Sequence, residues 1–92
     1  MTIEELWQRL SEYEGHIFYT SKGLDYTYRI RGNEIFFSRK EKSVTRASIE
    51  ISLHKAQDMD GKVSGPKKLG TFGASYLYPV FKTLGIITEV EE

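Results

Sequence analysis

Residues 24–39 read LDYTYRIRGNEIFFSR. Leu24, Tyr26, Tyr28 and Ile30 alternate with Asp25, Thr27, Arg29 and Arg31. A period of two places successive side chains on opposite faces of a strand, so this stretch predicts a strand with one buried and one wet face. Gly32 and Asn33 tolerate positive φ and suit a tight hairpin turn. Glu34–Arg39 then forms the returning strand. An antiparallel hairpin of this kind needs a second layer to cover its apolar face, and the flanking sequence supplies helices for it.

Upstream, Thr2 and Glu5 have the spacing of a capping box, in which each side chain satisfies a backbone N–H of the first turn. Ile3, Leu6, Trp7, Leu10 and Tyr13 recur at helical spacing and form an apolar stripe, with Gly15 as the stop. His16–Thr20 is a further short strand and Ser21–Gly23 a turn. Downstream, a second helix is expected from Val44 to Met59 with Ser43 as N-cap. Its apolar residues fall on two sides, Val44, Ala47 and Ile51 against Ile49, Leu53 and Ala56. That pattern predicts either a helix held between the sheet and another helix or a helix whose bounds differ by a turn.

Residues 60–70 contain Gly61, Gly65, Pro66 and Gly70 and read as a loop. A third helix covers some or all of Gly73–Leu84, with Tyr76, Leu77, Val80, Phe81 and Leu84 on one face. Pro79 lacks a donor and crowds the preceding turn. The helix therefore either starts near Tyr78 or carries a kink there. Gly85 has the character of a C′ residue. Ile86–Val90 is expected as a short last strand. The order α-β-β-β-α-α(-β) predicts an α+β domain over residues 1–92, a small antiparallel sheet of three or four strands with three helices.

Composition narrows the function classes. The chain has 39% hydrophobic and 28% charged residues, a balance that supports a folded core rather than disorder. It has no cysteine, which excludes disulfides, a thiolate nucleophile and thiolate-ligated zinc. The start of the chain is acidic and lacks the basic n-region of a signal peptide, and no apolar run is long enough to span a membrane. A cytoplasmic setting without membrane partners follows as the expectation.

Formal net charge is zero but unevenly spread. Residues 1–28 carry two basic and five acidic groups, residues 29–70 carry ten and five, and residues 71–92 carry one and three. The basic middle directs attention to two groups. Arg39, Lys40, Lys42, Ser43, Thr45 and Arg46 lie where a strand passes into a helix, and free N–H groups there attract anions. Lys67 and Lys68 lie in a glycine-rich loop that lets a backbone approach a ligand closely. If the two groups meet in space, they form one anion or nucleic-acid site. The plainer reading is a cap and a solvated surface turn. Phe72, Tyr76, Tyr78 and Phe81 form an aromatic set read mainly as core, with Tyr78 its most exposed member.

Catalysis receives little support. His16 and His54 are the two histidines, and no metal motif or nucleophile elbow accompanies them. No cofactor is called for. The first functional expectation is a small binding module for a phosphate-rich partner such as nucleic acid. The alternative is a protein-interaction or structural domain, homodimeric in one form, without catalytic activity. A ligand pocket between sheet and third helix is a further reading.

Overall fold

A computed structural model describes residues 1–88. Its elements are α1 (Ile3–Glu12), β1 (Phe18–Tyr19), β2 (Asp25–Tyr26), β3 (Tyr28–Arg31), β4 (Glu34–Phe37), β5 (Val44–Thr45), α2 (Arg46–Asp58), a 3₁₀ turn (Pro66–Leu69) and α3 (Ala74–Thr83). The fold is α+β, with two antiparallel sheets and three helices in nearly the expected order.

The alternating stretch behaves as expected through Tyr26 and Tyr28, which are both buried. It does not form one strand. At Thr27 the chain leaves the two-stranded β1–β2 sheet and enters a three-stranded sheet ordered β3-β4-β5. Thr27 is held by the next strand's end: its N–H donates to Ser38 Oγ at 3.0 Å, and its carbonyl accepts from the Ser38 N–H at 2.9 Å. The β3–β4 register pairs Tyr28 with Phe37 and Arg31 with Glu34, closing on the Gly32–Asn33 turn. Leu24 has the same parity as Tyr26 but is exposed, because it overhangs the sheet at the hairpin turn.

Helix α1 has the full capping box: the Glu5 N–H donates to Thr2 Oγ1 at 3.2 Å, and the Thr2 N–H donates to Glu5 Oε1 at 3.4 Å. Leu6 and Leu10 are fully buried. The helix end is tied to β3, since the Tyr28 hydroxyl donates to the Leu10 carbonyl and the Gly15 N–H donates to the Tyr28 carbonyl at 3.1 Å.

Three expectations about α2 need correction. Val44 and Thr45 are a strand, not the first helical turn, and Val44 is buried opposite Ile35. The N-cap is therefore Thr45, whose Oγ1 accepts from the Ser48 N–H at 3.2 Å. Ser43 instead donates its hydroxyl to Glu34 Oε1 at 2.6 Å. Finally, α2 buries one side only: Ile49, Ser52, Leu53 and Ala56, at helical spacing. Ala47 and Ile51 face solvent.

Helix α3 contains Pro79 in its interior, and its start at Ala74 settles the choice between a late start and an earlier turn. Leu77, Val80, Phe81 and Leu84 are buried as predicted. Gly85 has φ +79, and the N–H groups of Gly85 and Ile86 donate to the carbonyls of Lys82 and Phe81, the two bonds of a Schellman cap. Of the expected last strand, Thr88 forms a parallel bridge with Lys62; residues 89–90 lie outside the described residues.

The core is one cluster that joins helices and both sheets. Six aromatic rings run through it from Tyr13 to Phe18, Tyr26 and Tyr28, then Phe37 and Tyr76, with centroid separations of 5.1–6.4 Å along the chain of contacts. Tilted and edge-on pairs of this kind each contribute about 0.5–1.5 kcal/mol beyond area burial. Burial raises the phenol pKa values of Tyr26 and Tyr28 above the ordinary tyrosine value, with neighbouring phenols and, for Tyr28, Glu14 adding to the effect.

The linkage has a definite sign. A group that ionises less readily when folded supports the fold below its unfolded pKa, and the support is lost as pH rises toward the folded value. The unfolding midpoint in urea should therefore fall as pH climbs past about 10. Tyr28→Phe should lose about 1 kcal/mol at neutral pH with its hydrogen bond, yet show a shallower alkaline decline. An identical alkaline slope in both proteins would assign the decline to other groups.

Candidate functional site

Most of the predicted basic segment is used by the fold itself. Arg39 closes the outer edge of β2: one guanidinium nitrogen reaches Asp25 Oδ1 at 2.7 Å, and Nε donates to the Asp25 carbonyl. The hydrogen bond first, and the charge second, hold the Asp25 carboxyl below its usual range. Ser43 is engaged by Glu34 and Thr45 by the first turn of α2, as described above. Arg46 is half-buried, with its guanidinium carbon 5.4 Å from the Trp7 ring centroid and its backbone N–H donating to the Asn33 carbonyl at 2.7 Å. Lys42 and Lys68 are exposed.

Lys40 and Lys67 do come together. Both line a cleft of about 430 Å³ with Pro66, Gly70, Thr71, Phe72 and the first residues of α3. The cleft is built by the turn from Gly70 to Gly73, and both glycines have positive φ, +65 and +80. A Cβ on Gly73 would fall 2.6 Å from Val44 Cγ2, so the turn sits directly on β5 and brings the start of α3 to the end of the β3–β5 sheet. From behind, the buried Ser52 hydroxyl on α2 fixes Thr71 at 2.5 Å. Lys40 crosses the turn with its Nζ 3.4 Å from the Phe72 ring centroid. The two sequence groups thus meet through one lysine each, while Arg39, Ser43, Thr45 and Arg46 have other partners.

The aromatic set divides differently from the expectation. Tyr78 is half-buried, and its hydroxyl donates to the Val63 carbonyl at 2.8 Å. Phe72 is the exposed member, at 53%. Its preceding glycine-rich run is the sequence signal for this, since a residue between Gly70 and Gly73 belongs to a turn and not to a helix face.

A second surface was not singled out by sequence. Phe18 points into the core, so Ile17 and Tyr19 point the opposite way, and they are 62% and 61% exposed. The Thr20 N–H donates to the Leu24 carbonyl at 2.9 Å, which makes Thr20–Leu24 a hydrogen-bonded pair. Hydrogen-bonded and non-hydrogen-bonded pairs alternate along an antiparallel ladder. The Tyr19–Asp25 pair is therefore non-bonded, and the Tyr19 backbone N–H and C=O point away from β2. A groove of about 340 Å³ separates residues 19–21 from the 78–83 part of α3, lined by Tyr19, Tyr78 and Pro79. The alternation of Ile17, Phe18 and Tyr19 contains this signal, because only one side of a two-residue strand reaches the core.

Among the described residues no group of three or more His, Asp or Glu side chains is placed to hold a metal ion. His16 packs edge-on against Tyr13 with centroids 5.1 Å apart, and His54 is exposed on α2. No described helix is long and apolar enough to cross a membrane. No family model matches the chain, and neither the curated proteins nor the solved structures include a significant match.

Proposed function

We propose that the chain is a protein-interaction domain that docks through the outward side of the β1–β2 hairpin, with a second copy as the simplest occupant. The observation that carries this reading is the joint exposure of Ile17, just before β1, and Tyr19, within it, where the Tyr19 backbone polar groups point away from β2. A β-branched and an aromatic side chain form an apolar centre, and the Asp25–Arg39 pair beside them forms part of a polar rim. Open strand edges of this type recruit other chains. Two copies related by a two-fold axis would present the same residues to each other.

Sedimentation velocity over a range of concentrations tests the reading. Association should increase with concentration and disappear in the double variant Ile17→Ser, Tyr19→Ser. The variant should remain folded, because exposed substitutions of this kind typically cost within about 0.5 kcal/mol. Association that survives the double substitution would place the contact elsewhere, and a chain that stays monomeric throughout would remove the second copy as its occupant.

A further inference from the structure

The Lys40–Lys67 cleft shares no lining residue with the groove beside the hairpin, although Arg39 of the docking rim precedes Lys40, and it has a chemistry of its own. The segment from Gly61 to Thr88 runs for 28 residues with four lysines and no aspartate or glutamate. No acidic side chain lines the cleft. Its lining combines two ammonium groups from distant parts of the chain, the hydroxyl-bearing residues Thr71 and Ser75, and the exposed Phe72 ring. Lysines alone would suit any anion. The exposed ring narrows the ligand, because an anion without an aromatic or apolar part gains nothing from it.

We infer that this cleft binds single-stranded nucleic acid, with a base stacked on Phe72 and the adjoining phosphates at Lys40 and Lys67. Lys40 Nζ lies over one face of the Phe72 ring, so a base would stack on the opposite face with the ammonium beside its phosphate. Ordered aromatics beside cations bind single strands with little sequence preference, since every base has a π-face. A net charge of zero gives the chain no overall attraction for a strand, so binding rests on a local patch, and affinity should be modest and should fall with salt. A duplex would not expose a base face to Phe72 and is the disfavoured form.

The test is an amide-shift titration of the labelled protein with a short oligothymidylate, repeated with inorganic polyphosphate and with a phosphoserine peptide, at low and at moderate salt. The oligonucleotide should shift the amides of Lys40, Lys67 and residues 70–75 and should bind more tightly than polyphosphate. Phe72→Leu should weaken it on the order of tenfold or more while leaving polyphosphate binding unchanged. Phe72 is exposed, so the variant should keep the spectrum of the folded protein away from the cleft, and that spectrum is the check on folding. Equal binding of polyphosphate and oligonucleotide, or preference for the phosphoserine peptide, would overturn the nucleic-acid assignment. Absence of shifts in the cleft at low salt would overturn the site itself. Neither result bears on the hairpin, whose association is read by sedimentation and by a different pair of residues.

Discussion

Leu10→Ala is expected to lower the unfolding free energy by about 2–5 kcal/mol. Leu10 is fully buried on α1 beside Leu6. Alanine is the best helix former, so the helix itself loses nothing by the exchange and the cost is packing alone. The Tyr28 hydroxyl bond survives too, because it goes to the backbone carbonyl of residue 10 and not to the side chain. What remains is the lost transfer energy of the side chain and the cavity left behind. A domain of this size has a total stability of roughly 5–15 kcal/mol, so the variant should shift visibly toward the unfolded state. Urea unfolding measures it, with a lower midpoint at an unchanged slope. Gln8→Ala, on the exposed side of the same helix, should change the midpoint little. Equal midpoints for Leu10→Ala and wild type would mean that α1 does not complete the core.

The helical parts of the fold were legible because their signals are local. The capping box at Thr2 and Glu5, the stripe through Leu6 and Leu10, and the cap at Gly85 each depend on residues within a few positions of one another. The hairpin at Gly32–Asn33 is equally local. The errors fall where a distant partner decides. Val44 and Thr45 read as helix by their neighbours, but pairing of β5 with Glu34 and Ile35 makes them strand, and the cap moves two residues along. Ser43 has the chemistry of a cap and spends its hydroxyl on Glu34 instead. The two apolar sides of α2 suggested burial on both, yet Ile51 is 51% exposed, because no element covers that side among the described residues.

The same division explains the candidate site. A charge count along the chain contains no partners. Arg39 meets Asp25 across fourteen positions, and Arg46 reaches Trp7 across thirty-nine, so part of the apparent basic surplus is tied into the fold. Lys40 and Lys67 are different because the turn from Gly70 to Gly73 brings α3 against β5, a contact that only tertiary packing creates. Sequence reading located the residue types of the cleft but not their meeting. It passed over Ile17 and Tyr19 because a short strand of mixed apolar residues does not say how many of its faces are covered.

The second large effect concerns how the chain closes after α2. Gly61 has φ +76 and is buried, and a Cβ there would lie 2.8 Å from the Ile86 backbone oxygen. Gly85 has nearly the same φ, +79, but a Cβ on it would meet nothing within 4 Å. Both positions charge an L-residue about 1–2 kcal/mol for the left-handed conformation. Only Gly61 adds a collision, and the colliding atom is backbone, which cannot rotate away. Forced displacement of packed groups costs about 1–3 kcal/mol more. Gly61→Ala should therefore lose about 2–5 kcal/mol and Gly85→Ala about 1–2 kcal/mol, compared by urea midpoint. The larger loss has a structural signature, since the Gly61 carbonyl accepts from the Thr88 N–H at 2.8 Å and the neighbouring Lys62 bridges to Thr88. Pushing residue 61 away from Ile86 opens that pairing, so the Thr88 amide should lose its protection from hydrogen exchange in Gly61→Ala and keep it in Gly85→Ala. Equal losses in the two variants would mean that Ile86 does not pack on Gly61, and the segment after α3 would then be held by Ile87 in the core rather than by its backbone.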